Sequence, residues 1–149
     1  YQSAVSANRY YDAVPDIVQS TMDEVSMATG RQYKLFDYYG DPEAERVVVL
    51  MGSAAKTAEE TVDYLRSQGE RVGILKVRLF RPFSTKHFLA EMPESVKAIA
   101  VLDRTKEDFA SSLPLHADVL TAMSEAGVYK TVVGGNYGLG SKEFAPRHV

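Results

Sequence analysis

The stretch RVVVLMGSAAKTAEETVDYLRSQGERVGILKVRLFRPFS, residues 46–84, reads as a complete strand, turn, helix and strand. Residues 47–51 are a continuous apolar run of strand length, the pattern of a parallel strand covered by helices on both faces. Thr57 and Glu60 then stand at capping-box spacing. Ala58, Thr61, Val62 and Leu65 make one helical face, and Gly69 ends the helix. Residues 72–80 return as the next strand. A crossover of this length forces the two strands parallel, with a right-handed connection.

The alternation continues outward from this unit. Pro82 halts the second strand, residues 84–91 make a short helix, and residues 96–102 are a third buried strand. Residues 113–126 form another helix with Leu115, Val119, Leu120 and Met123 inward. Gly127 stops it, residues 129–133 are a fourth strand, and residues 141–144 are a last helical turn. On the N-terminal side, residues 14–29 carry Ile17, Val18, Met22, Val25 and Ala28 at helical spacing, with Pro15 near the start and Gly30 at the stop. The preceding YQSAVSANRYY has no apolar period and is expected to be irregular, as in a segment cut from a longer polypeptide. Between helix and first strand, Leu35, Phe36, Tyr38 and Tyr39 make a short extended segment closed by Gly40, Asp41 and Pro42. Tyr10, Tyr11, Tyr33, Tyr38 and Tyr39 suit either a domain interface or packing within this domain.

Composition sets the bounds. The 149 residues suffice for one buried core, and 45% hydrophobic residues is ordinary for a globular domain. A net charge of -3 lacks the basic footprint of a nucleic-acid binder. With no cysteine, the chain has no disulfide, no thiolate nucleophile and no ligands for an iron–sulfur cluster, and a reducing, cytoplasmic setting is expected. No apolar run approaches bilayer length, so no membrane role is expected.

In open α/β sheets, ligands and partners meet the crevice at the carboxyl ends of the strands. Those ends carry Gly52 and Ser53, then Arg78 and Arg81, then Asp103, Arg104 and Lys106, and finally the loop Gly134 to Gly140. The turn from Gly52 through Ser53 to Thr57 is either an anion site built on free helix-start amides or an ordinary strand-to-helix turn. Neither a GK[ST] phosphate loop nor a G-x-G-x-x-G dinucleotide loop is present, and Ser53 lacks the G-x-S-x-G elbow of hydrolases. Arg78 and Arg81 suit carboxylate or phosphate recognition, or an internal bridge to Asp103. His87, His116 and His148 have no second ligand at metal-binding spacing, so neither a metal site nor a catalytic residue is assigned.

Several ordered blocks carry a family resemblance: YKLFDYYGDPEAERVVVLMGSAAKTAEETVDYL, GERVGILKVRLFRPFSTKHF, VKAIAVLDRTKE and VVGGNYGLGSKEF. Together, from about Tyr11 to Phe144, they resemble domain II of pyruvate:ferredoxin (flavodoxin) oxidoreductase. The resemblance implies a transketolase C-terminal-like fold: a three-layer α/β/α sandwich with a mostly parallel sheet of about five strands, one an antiparallel edge. It implies residues 1–30 as N-terminal linker and helix and residues 31–149 as the α/β domain.

For function, the resemblance implies a non-catalytic assembly domain, inactive alone, of an oxidoreductase that decarboxylates pyruvate to acetyl-CoA. Thiamine diphosphate, magnesium, iron–sulfur clusters and CoA would be held elsewhere in the parent enzyme. Its partners would be other domains of the same polypeptide, the thiamine-binding ones among them, within a homodimeric enzyme. The alternative is an interaction module of a sulfite reductase flavoprotein or another multidomain electron-transfer enzyme. One departure is visible: the family's usual glycine-rich stretch and Glu-Pro-Leu-Tyr-Leu-Asp-like helix start is replaced by DFASSLPLHAD, residues 108–118.

Overall fold

A computed structural model describes residues 2–149. In chain order the elements are α1 (Gln2–Thr29), β1 (Phe36–Gly40), β2 (Arg46–Met51), α2 (Ala54–Ser67), β3 (Val72–Val77), α3 (Thr85–Glu91), β4 (Ala98–Asp103), α4 (Pro114–Glu125) and β5 (Thr131–Asn136), followed by two 3₁₀ turns, Leu139–Ser141 and Pro146–His148. The five strands form one sheet in the order β1-β3-β2-β4-β5. β2, β3, β4 and β5 run parallel, and β1 lies antiparallel to β3 as an edge. This is the three-layer, mostly parallel arrangement that the sequence implies.

Strand alternation divides the core. Val47 and Val49 of β2, Leu75 and Val77 of β3, and Ile99 and Val101 of β4 face α3 and α4, where Phe88, Leu115, Val119, Ala122 and Met123 cover them. Leu50 and Ile74 face the other way and pack on Ala54, Ala58 and Val62 of α2. Phe36, Phe83 and Phe88 meet edge to face or tilted, with centroids 5.1 to 5.5 Å apart, and lock the edge strand and the loop after β3 onto α3.

Boundaries shift where local signals compete with packing. Tyr1 lies outside the described residues, and the rest of the segment expected to be irregular is helical from Gln2. Periodicity finds helices through the stripe they bury, and residues 5–13 of α1 are nearly all exposed. The face of α1 also differs from the expected one: Val18 and Met22 reach the core, whereas Ile17 is 60% exposed and Val25 43%. Polar anchors set this rotation. The Gln19 side chain accepts the Leu35 N–H at 3.0 Å, and the Ser26 hydroxyl accepts the Tyr33 N–H at 3.1 Å. In α2 the N-cap is Ser53, without a side-chain cap, and Thr57 lies inside the helix rather than at its start. In α4, Ala122 takes the inward place expected of Leu120, which is 40% exposed. The final turn forms at 139–141 and 146–148 instead of 141–144.

One close approach depends on glycine. Tyr38 of β1 lies across Gly73 of β3, where a Cβ would fall 2.6 Å from the ring Cζ, and its hydroxyl donates to the Asp41 carbonyl at 2.5 Å. Burial first, and then the Asp41 charge, push that phenol up to about 12. Gly73→Ala is therefore expected to lower unfolding stability by about 1–3 kcal/mol, the range for overpacking. Urea denaturation checks this, and in a Tyr38→Ala background the loss should shrink.

Candidate functional site: the strand-end edge

Because β2, β3, β4 and β5 are parallel, their carboxyl ends share one edge of the sheet. The connection leaving β2 runs to α2 on one face, and the connection leaving β4 runs to α4 on the other. The crevice between those two loops is where such folds present groups to the outside. The sequence-designated residues divide into two groups around it.

The first group surrounds the end of β3. Gly52, Lys56, Glu59, Lys76 and Arg78 line one cavity of about 620 Å³, with Met22 and Tyr33 on its α1 side. Gly52 takes a positive φ of 77°, which lets the chain turn sharply from strand to helix. The cations here are engaged within the domain. Lys76 reaches Asp37 at 2.9 Å and Glu59 at 2.8 Å, Lys56 meets Glu59 at 2.6 Å, and Arg78 meets Asp37 at 3.0 Å while lying over the Tyr33 ring. Asp37 and Lys76 are direct cross-strand partners in the β1–β3 register.

Burial raises the Asp37 carboxyl, but the hydrogen bonds from Lys76 and Arg78 outweigh it and hold the group below its ordinary value. Glu59 behaves alike: burial is opposed and overcome by Lys56 and Lys76. Burial would lower the Lys76 ammonium, yet Glu59 and Asp37 leave it raised.

The second group lies beyond β4. Asp103 is 2% exposed, and its carboxylate accepts the N–H of Leu115 at 3.0 Å and of His116 at 3.1 Å. Leu113 is the N-cap of α4 and Pro114 its first residue, so Asp103 satisfies free amides of the first turn from outside the helix. The internal bridge from Arg78 or Arg81 to Asp103 does not form: Arg78 takes Asp37, and Arg81 takes Asp118 at 3.0 Å. Burial raises the Asp118 carboxyl against the pull of Arg81, and the Asp103 charge adds to the rise.

Arg104 is exposed and runs along Gly138, whose φ of 62° keeps that place free of a side chain. Lys106 pairs with Asp108 at 2.9 Å in the open. Between them and α4, Phe109 is fully exposed at a φ of 68°.

The structure thus brings Gly52 and Arg78 into one cavity, buries Asp103, ties Arg81 to α4, and leaves Ser53, Arg104 and Lys106 exposed. Thr57 sits part-buried in the first turns of α2. Sequence reasoning missed Asp37, Glu59, Lys76 and Asp118. The usable signal was Lys76, a lone charge inside the apolar run VGILKV. His87 and His116 bond locally, through Nδ1, to the hydroxyls of Ser84 and Ser112 at 2.7 and 2.8 Å. Among the described residues no three His, Cys, Asp or Glu side chains are placed to hold a metal ion, and no helix is long and apolar enough to cross a membrane.

Comparison with known proteins follows the same outline. Residues 44–149 match the family model described as pyruvate:ferredoxin oxidoreductase core domain II. The pyruvate:ferredoxin oxidoreductase of Moorella thermoacetica is 58% identical over 100% of this chain and 13% of its own length. The pyruvate-flavodoxin oxidoreductase of Trichormus variabilis is 54% identical over 98% of this chain and 12% of its own. The probable pyruvate-flavodoxin oxidoreductase of Escherichia coli K12 is 56% identical over 98% and 13%. Among solved structures, a 2-oxoglutarate:ferredoxin oxidoreductase from Magnetococcus marinus superposes with a TM-score of 0.53 at 17% identity, over 77% of this chain and 18% of that one, a likeness of fold.

Two outcomes test this geometry. Asp103→Ala strands two α4 amides in a buried place and is expected to cost about 1–3 kcal/mol, read as a lower urea midpoint, with Asp103→Asn intermediate. For the β3 network, a carboxyl held low in the folded state contributes stability that is complete above its unfolded value and lost as pH falls through its folded one. The ordinary values for Asp37 and Glu59 are 3.8 and 4.5, so the loss should set in below that range. Lys76→Met removes a cation that holds both carboxyls low, so urea midpoints should drop most near neutrality and their decline on acidification should flatten.

Proposed function

The chain belongs to the pyruvate:ferredoxin oxidoreductase core domain II family, and from that membership we propose that it serves as a non-catalytic assembly domain of a pyruvate:ferredoxin (flavodoxin) oxidoreductase. In this reading the parent enzyme oxidatively decarboxylates pyruvate to acetyl-CoA, and residues 31–149 are the α/β domain, led into by the linker and helix of residues 1–30. The carrying observation is that this chain aligns over 98–100% of its length yet spans only 12–13% of those relatives. The greater part of each such polypeptide is available to hold what this part does not.

The residues present bear on the cofactors the reading implies for the whole enzyme. Iron–sulfur clusters need thiolates, and the chain has no cysteine. Magnesium needs grouped oxygen ligands, and the acidic groups at the crevice are tied to Lys76, Arg78 and Arg81 or to the start of α4. These residues do not fit either group. Thiamine diphosphate, magnesium, clusters and CoA are therefore assigned to other domains, and no chemical step is placed on a residue of this chain.

What the edge does present suits a neighbour. Arg104, Lys106, Ser53 and the aromatic ring of Phe109 are exposed together with the turn at Gly52. An exposed arginine and a fully exposed aromatic ring are residue types of an interface anchor. We assign this edge to docking against the thiamine-binding domains of the same polypeptide.

Thermal unfolding of the 149-residue chain is expected to be unmoved by thiamine diphosphate with magnesium. Ligand at a hundredfold excess over its Kd would raise the midpoint by about 5–10 °C, and such a shift would overturn the assignment. Arg104→Ala and Phe109→Ala should leave the urea midpoint of the chain within about 0.5 kcal/mol while hastening proteolytic release of the domain from the full-length polypeptide. Unchanged release in both variants would remove the docking role.

A further inference from the structure

The two faces of the sheet are covered unequally. On one side α3 and α4, helped by α1, close over every parallel strand. On the other, α2 covers β1, β3 and β2, while the C-terminal tail packs Tyr137 and Phe144 against Leu102 at the top of β4, bonds α2 through Thr61 and Pro146, and brings Val149 to one side of the area below. Among the described residues, no helix lies over the lower part of β4 and β5 on this side. Ala98 and Ala100 of β4 are half-buried, and Val133 of β5 is 55% exposed.

This area is a groove of about 270 Å³ between α2 and the outer edge of the sheet, floored by Val48, Ala98, Ala100 and Val133 and walled by Val62, Leu65 and Val149. β5 closes the sheet with a single partner, so among the described residues its outer backbone edge has no strand beside it. Parallel strands that read as apolar on both faces belong to sheets covered on both faces. An open apolar strand edge is a place where further chain is normally added or covered.

Three observations select the occupant. The lining is mainly apolar, and its polar members have partners within the domain: Arg46 pairs with Glu70, and the Thr61 hydroxyl meets the Pro146 and Thr57 carbonyls. The groove is concave, and a two-fold contact of this patch with itself would set recess against recess. Relatives aligned over this whole chain are polypeptides of which it is 12–13%, so apolar surface to fill the groove is at hand in the same molecule. We propose that an apolar segment from another domain of the same polypeptide seats in this groove, covering Ala98, Ala100 and Val133. This rests on the domain reading above but concerns a different surface from the strand-end edge.

The test uses single-cysteine reporters in the full-length polypeptide, with alkylation at each site followed by peptide-resolved mass spectrometry. Val133→Cys is the main reporter, Thr131→Cys on the same strand face is the second, and Arg104→Cys reports the strand-end edge. Labelling of Cys at 133 or 131 is expected to be at least tenfold slower in the native protein than in urea, whatever the protein concentration. Rates within threefold of the unfolded protein at both 131 and 133 overturn the proposal. If Arg104→Cys is then still protected, docking through the strand ends survives by itself, and if it too reacts freely both readings fail. Protection at 133 that vanishes on dilution identifies a second copy as the occupant and overturns the proposal as well.

Discussion

A chain that must re-enter a sheet running in the same direction has to travel back along one of its faces, and most of this molecule follows from that requirement. Each return between β2, β3, β4 and β5 passes through a helix, so the strands need apolar residues on both faces and their carboxyl ends gather at one edge. β2 shows the consequence in its plainest form: Val47 and Val49 serve one layer, while Leu50 serves the other. β1 is the exception that completes the sheet. Running antiparallel, it brings Asp37 opposite Lys76 and lays Tyr38 across Gly73.

Charge is used to join elements rather than to await a ligand. Lys76 ties the edge strand to α2 through Asp37 and Glu59, Arg81 ties the loop after β3 to α4 through Asp118, and Asp103 ends β4 by capping α4. Removing one partner from such part-buried groups leaves the other uncompensated, which is why these positions matter to the fold more than exposed pairs such as Lys106 with Asp108. Facing outward at the strand ends are Arg104, Lys106 and the Phe109 ring, and on the α2 side there is an apolar groove. These are features of surfaces that meet other protein, in keeping with a domain that is a small share of its relatives.

Much of this was legible in the residues. The apolar run at β2, the helical face of Ala58 and Val62, and the glycine stops at Gly69 and Gly127 place the parallel unit and its direction. The rest was hidden for identifiable reasons. Residues 5–13 of α1 bury no stripe and so leave no period, and the helix's anchoring face follows Gln19 and Ser26, whose polar bonds to residues 33–35 no hydrophobic pattern reveals. Thr57 and Glu60 have the spacing of a cap, yet the strand-to-helix turn at Gly52 starts α2 one turn earlier. Arg78 and Arg81 stand as near Asp103 in sequence logic as their true partners do, because Asp37 and Asp118 come into reach only once β1 pairs with β3 and α4 folds back on β4.

By itself, the sequence determined the class of fold, the order of its elements, the edge where strand ends meet and the lack of thiolate ligands, since each depends on residue type and short-range period. Tertiary structure alone decided which charges pair, which way α1 faces, that Asp103 turns inward, and that among the described residues no helix lies over one side of the lower part of β4 and β5. Those outcomes are set by distances between segments far apart in the chain, and local pattern carries no record of them.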